Sequence, residues 1–380
     1  MKNITGWIIF GIIAFGWLLR AVITWQWWNN YYSFTDKTTV TNTSSQKIYI
    51  ANEDESSVTV VDASNNAIIK SINLSQQYYG KFLEYSAHNV QVSPDGKILA
   101  VTANIAEPKN KWGHEENMSN NDQVVLIDPL SDLIVWRIDI EKWAHLAHVV
   151  IDNNATRAYA VSQEKSKLYV LSLDNQKIEK TIDLPSWSQP HGIRLSPDWR
   201  YLFIAFIWEK ALGILDIKTD ELKTISVWDK AMQVAVSPDN SYVFASLYTS
   251  KRIARYNTTT KITDYINLPK DSQWPIQIYP SPDSRYLYVA DQGFYFDEWT
   301  GHQIYQIDVI QAKVVSSFTW WDWPHGILVS PDGNTVYASN LLSNSLTIID
   351  IRTKKVINNI QIGKGPNGIS IWTKWQWWTP

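Results

Sequence analysis

The chain has no cysteine, and this absence excludes several kinds of chemistry. Disulfides, thiolate metal sites, thiol nucleophiles and the acylated cysteine of a bacterial lipoprotein are all ruled out. An excess of charge of one sign is also missing, because the formal net charge is −3 and the sequence pI is about 6.2. Without a strong positive field to attract phosphates, the composition argues against a dedicated nucleic-acid binder.

Motifs that mark several enzyme classes are missing as well. The chain contains no Gly-x-Ser-x-Gly elbow, no phosphate-binding loop, no Cys-x-x-Cys-His haem attachment and no His-Glu-x-x-His zinc motif. Each of these patterns places a reactive group in a defined local structure, so their absence removes the most direct signs of catalysis. Whether the protein is an enzyme therefore stays open, and a non-enzymatic role is favoured.

Glycine is scarce and tryptophan is abundant, with 15 Gly against 21 Trp in 380 residues. Trp stands where sister segments have Gly: Trp199 matches Gly96 and Gly333, Trp228 and Trp321 match Gly363, and Trp323 matches Gly365. An indole suits such turn positions poorly. We hypothesise that many of these residues are Gly encoded by UGA and read as Trp. The alternative is a Trp-rich protein that uses surface rings for sugar or interface binding. No Trp is given a functional role here, including those of the tail, Trp372, Trp375, Trp377 and Trp378.

A repeated Ser-Pro-Asp turn between short apolar runs dominates the chain. Pro presets φ and Asp hydrogen-bonds its own backbone, so each copy with its flanking runs predicts a β-hairpin. Copies lie about 40 to 60 residues apart, with four strand-like runs per unit, which is typical of a β-propeller. The copies begin at Ser93, Ser196, Ser237, Ser281 and Ser330, with a diverged one at residues 152–154.

The two ends of the repeat region complement each other. Residues 47–74 carry three strand-like runs and lack the run that opens every other unit, while residues 366–371 supply that run at the other end. Joined, they complete one blade, which predicts an all-β, seven-bladed β-propeller of four-stranded antiparallel blades closed by pairing of the terminal strands. The inner strands are predicted to begin at His88, His148, His191, Met232, Ile276, His325 and Asn367.

The N-terminal segment is apolar. Residues 4–19 form an almost uninterrupted apolar run. If the charged end of Arg20 reaches back to the membrane surface, the span extends to the roughly 20 residues that a transmembrane helix needs. A signal peptide is the alternative, but no Ala-x-Ala cleavage site follows. The sequence thus predicts a signal anchor at residues 1–23, a polar linker at 24–46, the propeller at 47–371 and a tail at 372–380. We expect the propeller on the extracytoplasmic side of the cell membrane.

Several motifs resemble the YVTN family of β-propeller repeat proteins. They are Tyr49-Ile50-Ala51-Asn52, Val336-Tyr337-Ala338-Ser339-Asn340, the Ser-Pro-Asp-Gly turns, and the Pro-His-Gly-Ile and Pro-Asn-Gly-Ile openings. The resemblance covers residues 46–371 and implies the propeller fold. It implies little about chemistry, because similar blades occur in surface-layer proteins, sugar lactonases, the d-haem domain of nitrite reductases and amine dehydrogenase subunits.

All seven histidines map to one face of the predicted propeller, where the inner strands begin. We expect His88, His148, His191 and His325 at the mouth of the central channel, with Arg194 and Asn367 as further ligand-binding candidates. The histidines could bind Cu²⁺ or Zn²⁺, or, as a weaker option, haem, with carboxylates from nearby loops. The acidic candidates are Glu115, Glu116, Asp297 and Glu298.

A structural role for these histidines is the competing interpretation. In that case each imidazole caps the start of an inner strand and hydrogen-bonds backbone across blades, and the nitrogens stay beyond about 8 Å from one another instead of converging within about 5 Å. The favoured function is an exported, membrane-tethered binding protein that takes a protein, polymer or small molecule at this face. The alternatives are a metal or haem redox protein and a lactonase-like hydrolase.

Overall fold

The computed structural model describes residues 44–78, 81–106, 121–293, 300–319 and 323–374. These residues form β-strands and turns, with no helix among them. The strands assemble into seven four-stranded antiparallel sheets and one two-stranded hairpin. The seven-bladed, all-β propeller predicted from the repeats is therefore confirmed.

The first strands of the chain belong to the blade that closes the ring. This closing blade has the strand order β3-β2-β1-β30, and β4 and β5 form the separate hairpin. The strands are β1 (Gln46–Asn52), β2 (Ser57–Asp62), β3 (Ile68–Asn73), β4 (Gln76–Tyr78), β5 (Lys81–Leu83) and β30 (Pro366–Thr373).

The other six blades each use four consecutive strands, with the first innermost. Blade 1 has β6 (Tyr85–Val92), β7 (Leu99–Ile105), β8 (Gln123–Asp128) and β9 (Leu133–Asp139), and blade 2 has β10 (Leu146–Ile151), β11 (Arg157–Ser162), β12 (Lys167–Ser172) and β13 (Lys177–Asp183). Blade 3 has β14 (Pro190–Leu195), β15 (Tyr201–Phe206), β16 (Ala211–Asp216) and β17 (Glu221–Ser226), and blade 4 has β18 (Ala231–Val236), β19 (Tyr242–Leu247), β20 (Arg252–Asn257) and β21 (Thr263–Asn267). Blade 5 has β22 (Pro275–Pro280), β23 (Tyr286–Gly293), β24 (Thr300–Asp308) and β25 (Lys313–Thr319), and blade 6 has β26 (Pro324–Val329), β27 (Thr335–Asn340), β28 (Ser345–Asp350) and β29 (Lys355–Gln361).

The transmembrane helix that the sequence analysis added to this fold is corrected by the structure. The described residues contain no helix, and so none that is long and apolar enough to cross a bilayer. The prediction of a helix rested on hydropathy, which measures how favourably a segment transfers to lipid. Hydropathy does not determine the backbone conformation of the segment. Residues 1–43, where the anchor and most of the linker were predicted, lie outside the described residues.

Pairing between β1 and β30 closes the ring. Ile50 pairs with Ile369, and Ile48 with Ile371, in antiparallel register. The predicted joining of the two ends is thus confirmed. Apolar side chains of the closing blade then pack on both neighbours: Ile48 and Ile50 join a cluster with Leu328 of blade 6, and Tyr49 joins a cluster that includes blade 1. The edge strands at both ends are therefore covered.

A buried ion pair adds to the contact between the closing blade and blade 1. Lys47 Nζ lies 2.8 Å from Asp132 Oδ2, and the Tyr49 hydroxyl donates to Asp132 Oδ1 at 2.6 Å. Trp372 of β30 is buried as well and donates from Nε1 to the Gly96 carbonyl at 2.8 Å. Trp372, the first residue of the predicted tail, therefore lies at this interface.

Each inner strand begins with a β-bulge. In β14, for example, Pro190 pairs with Phe206 but Ile193 pairs with Ile204, so one residue more lies on the inner strand than on its partner. The same shift occurs in the other six inner strands. We call the two residues that follow the last residue paired before the register shift the first and second bulge positions. The first bulge positions hold His88, Ala147, His191, Met232, Ile276, His325 and Asn367, and the second hold Asn89, His148, Gly192, Gln233, Gln277, Gly326 and Gly368.

Several tryptophans have the left-handed backbone that favours glycine. In the Ser-Pro-Asp turns the fourth residue has φ of 70° at Gly96 and 73° at Gly333, and Trp199 has 59°. A bulky residue at positive φ is an outlier that costs about 1 to 2 kcal/mol. The tryptophans at positive φ are Trp143, Trp187, Trp199, Trp228 and Trp323. Their backbone supports the hypothesis that these positions are natural glycines.

Replacing Trp228 with Gly is expected to stabilise the protein. Trp228 has φ of 63° and its side chain is 78% exposed, so the substitution relieves about 1 kcal/mol of backbone strain and loses little packing. Trp274 is the matched control, because its ring is 8% exposed and packs 4.0 Å from the Tyr248 ring between centroids. Trp274→Gly should lower the free energy of unfolding in urea by about 3 kcal/mol or more. A loss of stability in Trp228→Gly, or UGG codons at positions 199, 228, 321 and 323 of the gene, would refute the glycine hypothesis.

Candidate functional site

Three histidines from three adjacent blades meet at the mouth of the central channel. One ligand nitrogen from each of His88, His148 and His191 lies within 4.8 Å of the other two. The ring centroids are 5.1 Å apart for His148 and His191, 5.5 Å for His88 and His191, and 5.9 Å for His88 and His148. The imidazoles therefore converge as the metal interpretation required, although they come from separate blades.

The bulge register explains this convergence. His88 and His191 occupy the first bulge position of blades 1 and 3, whereas His148 occupies the second bulge position of blade 2. A shift of one residue along a strand turns a side chain to the other face. His148 is therefore not equivalent to its two neighbours, as the sequence analysis had aligned it. Its ring forms a triangle with theirs.

Several of these ring nitrogens are buried without a hydrogen-bond partner in the described part of the chain. Both nitrogens of His148 are unpartnered, and so is Nε2 of His88. His191 Nδ1 lies 2.9 Å from the Met232 carbonyl oxygen. Since a carbonyl only accepts, Nδ1 of His191 carries the proton and Nε2 keeps its lone pair. Each imidazole thus has a nitrogen available for a ligand that the protein itself does not supply.

A carboxylate and an amide of the closing blade orient His88. His88 Nδ1 lies 3.1 Å from Glu53 Oε1, and Asn367 Nδ2 donates to Glu53 Oε2 at 2.8 Å. With Nδ1 facing the carboxylate, Nε2 is directed away from it. Metal-binding histidines commonly donate their second N–H to a carboxylate in this way, which fixes the tautomer and raises the basicity of the ligand nitrogen.

Burial and charge set the protonation of the site. Burial alone would raise the pKa of Glu53, but the His88 charge and the hydrogen bonds from His88 and Asn367 lower it to about 2. Burial, with a smaller effect of the His88 charge, lowers the pKa of His191 to about 3. Burial and the charges of His191 and Arg194 likewise hold the pKa of His148 well below its ordinary value. Both imidazoles are consequently neutral near pH 7, which is the form that binds metals.

The remaining sequence-predicted residues lie around this group. His325 is outside the three-histidine group: its Nδ1 contacts Gln292 Oε1, and burial, then the His88 charge, lower its pKa to about 4. Arg194 lies further along β14 and Asn367 contacts Glu53. Of the other predicted histidines of this face, His145 is exposed and His302 is half-buried. His114 and the four acidic candidates, Glu115, Glu116, Asp297 and Glu298, lie outside the described residues.

Sequence reasoning missed the polar residues that support the histidines. Glu53 follows the last residue of β1, in a loop between second and third strands, and mapping acidic residues by face as the histidines were mapped would have found it. Asn89, Gln233 and Gln277 are buried at second bulge positions. Each is a polar residue that interrupts an otherwise apolar inner strand, and this interruption could have identified it in the sequence.

Comparison with known proteins agrees with this architecture. A sequence model of the YNCE-like β-propeller family matches residues 283–376. Among solved structures, hydrazine synthase of Kuenenia stuttgartiensis has a TM-score of 0.62 at 18% identity, covering 84% of this chain and 99% of that one. A functionally unknown protein from Desulfotomaculum acetoxidans DSM 771 has a TM-score of 0.67 at 15% identity, covering 86% and 99%. The chain is a seven-bladed β-propeller. Within that class, residues 283–376 resemble the YNCE-like family, in keeping with the YVTN-type motifs of the blades.

Curated relatives match over shorter regions. Antigen Lp49 of Leptospira interrogans serogroup Icterohaemorrhagiae serovar copenhageni (strain Fiocruz L1-130) is 26% identical over 182 residues, which cover 43% of this chain and 37% of the relative. PE-PGRS family protein PE_PGRS18 of Mycobacterium tuberculosis (strain ATCC 25618 / H37Rv) is 42% identical over 48 residues, or 13% of this chain and 10% of the relative. The chain thus matches little more than a third of the first relative and a tenth of the second.

The buried imidazoles predict a loss of stability in mild acid. The pKa of His325 is about 6.5 when unfolded and about 4 when folded, so its contribution is complete above pH 6.5 and is lost as the pH falls toward 4. Between pH 6.5 and about pH 4.5 this amounts to about 2 kcal/mol. His325→Gln should remove that part of the pH dependence of the unfolding free energy, measured in urea.

His145→Gln, which removes an exposed histidine of the same face, is the matched control for the substitution itself. Burial raises the pKa of Asp291 to about 6, so Asp291 acts in the opposite direction over the same range, but it is present in all three proteins and cancels in the comparison. Equal acid sensitivity of wild type and His325→Gln would contradict the assignment of a buried neutral imidazole.

Proposed function

We propose that this protein is a binding protein that uses a transition-metal ion at its channel mouth, held by His88, His148 and His191. The observation that carries the proposal is the convergence of three imidazoles, with both nitrogens of His148 and Nε2 of His88 buried without a partner among the described residues. A buried polar atom without a hydrogen bond costs about 1 to 3 kcal/mol. A metal ion bound to these nitrogens offsets that cost.

The donor set favours Cu²⁺ or Zn²⁺. Imidazole suits both ions, and three nitrogens with an open fourth position are typical of sites that also bind an exogenous ligand. In a tetrahedral site with metal–nitrogen distances of 2.0 to 2.1 Å, the nitrogens lie about 3.3 Å apart. From separations of up to 4.8 Å, small side-chain rotations bring them to this distance.

Haem and hydrolysis receive less support from this geometry. The rings of His88, His148 and His191 approach one another edge to face with centroids at most 5.9 Å apart, which leaves no space for a planar macrocycle between them. The carboxylate of Glu53 is held by His88 and Asn367, and its pKa of about 2 makes it a weak general base. We therefore propose binding, not haem chemistry or lactone hydrolysis.

We further propose that the propeller works outside the cytoplasm and that its ligand or partner reaches the metal from the channel mouth. The relative named as an antigen supports a location at the cell surface. The absence of cysteine fits any compartment and does not oppose this one. A protein, a polymer or a small molecule can approach this face, and an electron-rich group on it would take the open metal position.

Metal titration tests the proposal. Protein purified without chelators should bind one equivalent of Cu²⁺ or Zn²⁺ by isothermal titration calorimetry. Loss of one of three nitrogens should weaken binding by about 100-fold or more in His148→Ala, and loss of the orienting carboxylate should weaken it by about 10-fold in Glu53→Gln. The effect of His148→Ala is larger because His148 would bind the metal directly, whereas Glu53 only orients the ligand His88.

The exposed histidine on the same face gives a matched control. His145→Ala removes an imidazole from the same face and should leave the affinity unchanged. Thermal unfolding without metal verifies that each variant is folded. Stoichiometric binding that survives in His148→Ala, or no binding by folded wild-type protein, would rule out the three-histidine site.

A further inference from the structure

We propose that the central channel, deeper than the three histidines, binds a small carboxylate that Arg194 and the amide of Gln277 hold. This site uses side chains different from those of the proposed metal centre, and it stands whether or not a metal binds. The inference rests on a guanidinium that has no anionic partner, and a buried amide donor that has no acceptor, among the residues that the structure describes.

Arg194 is the first element of the site. It lies on the innermost strand of blade 3, two positions beyond the second bulge position, so its side chain belongs to the channel lining. Its Nη1 donates to its neighbour's carbonyl, Ile193 O, at 2.8 Å. No carboxylate among the described residues forms an ion pair with it. A half-buried cation without a counter-ion among the described residues is costly, which favours an anionic ligand.

Blade 5, which is separated from blade 3 by blade 4, also lines the channel near Arg194. Tyr279 occupies the equivalent position on β22, and its electrostatic interaction with Arg194 shows that the two side chains are close. Gln277 lies two residues earlier on the same strand, and residues i and i+2 of a strand project from the same face. Gln277 and Tyr279 therefore project toward the channel that Arg194 lines, with Gln277 nearer the mouth.

The Gln277 amide supplies the second, independent observation. Gln277 is 5% exposed, and its Oε1 accepts a hydrogen bond from Gln233 Nε2. This bond fixes the orientation of the amide and leaves Gln277 Nε2 buried with no partner in the described segments of the chain. An unpaired buried N–H donor needs an acceptor for the same energetic reason as the unpaired guanidinium. Both groups are donors, so the missing ligand is an acceptor.

Charge and geometry select the class of ligand. A planar guanidinium matches the two oxygens of a carboxylate, and a single positive charge is neutralised by a monoanion. A carboxylate carries one negative charge near pH 7, whereas a phosphate group carries between one and two. The neutral amide of Gln277 adds a hydrogen bond without adding charge. The site thus fits a small monocarboxylate better than phosphate or sulfate.

The test is binding of acetate to metal-free protein. In chelator-treated, chloride-free buffer, acetate should raise the thermal midpoint in a saturable way, and its neutral isostere acetamide should not. Arg194→Met should weaken acetate binding by at least about tenfold, and Arg194→Lys, which keeps the charge but loses the planar fork, by less. Arg200→Met is the matched control, because Arg200 is exposed and pairs with Asp216 at 3.2 Å. It should leave acetate binding unchanged.

Further measurements show whether the site prefers acetate or phosphate and whether the Arg194→Met variant is folded. Arg194→Met is expected to keep or raise the midpoint without ligand, since it removes an uncompensated charge. Gln277→Leu should weaken acetate binding severalfold. Equal acetate binding by wild type and folded Arg194→Met, or phosphate binding tighter than acetate, would overturn the proposal. Because the measurement is made without metal, failure of metal binding at the histidines leaves this result unaffected.

Discussion

Antiparallel pairing of β1 with β30 is the constraint on which the rest of the structure depends. The pairs Ile48 with Ile371 and Ile50 with Ile369 turn an open row of blades into a ring. The same blade then supplies Glu53 at the end of β1 and Asn367 at the start of β30, which together orient His88 of blade 1. The pairing that closes the ring therefore also brings together the two residues that orient His88, because Glu53 follows one terminal strand and Asn367 lies on the other.

The bulges at the start of the inner strands give the channel its second level of side chains. The extra residue places His148 at the second bulge position, from which its ring meets those of His88 and His191, while Gln233 and Gln277 occupy second bulge positions elsewhere. Glycine at this level, as at Gly192, admits the neighbouring Gln233 side chain, which a Cβ would approach to 2.0 Å. Arg194 lies two residues beyond the second bulge position of its strand, so it is deeper in the channel than the imidazoles.

The sequence predicts the blades well because their signals are local. A Ser-Pro-Asp turn such as Ser196-Pro197-Asp198 needs only its own residues, and closure follows from counting runs at the two ends. The site was harder to predict because it depends on register. His148 looked equivalent to His191, and only the paired strands reveal that it lies one position further on. Glu53 acts on His88 across blades, which a repeat pattern does not encode, and the predicted N-terminal helix rested on hydropathy alone.

The proposed function depends on the binding of one ion by three imidazoles. X-ray absorption spectroscopy at the metal edge of the Zn²⁺- or Cu²⁺-loaded protein measures the number of these ligands directly. We expect three imidazole nitrogens at about 2.0 to 2.1 Å, falling to two in His148→Ala. A first coordination sphere made mainly of oxygen, or one that does not change in His148→Ala, would contradict the proposal.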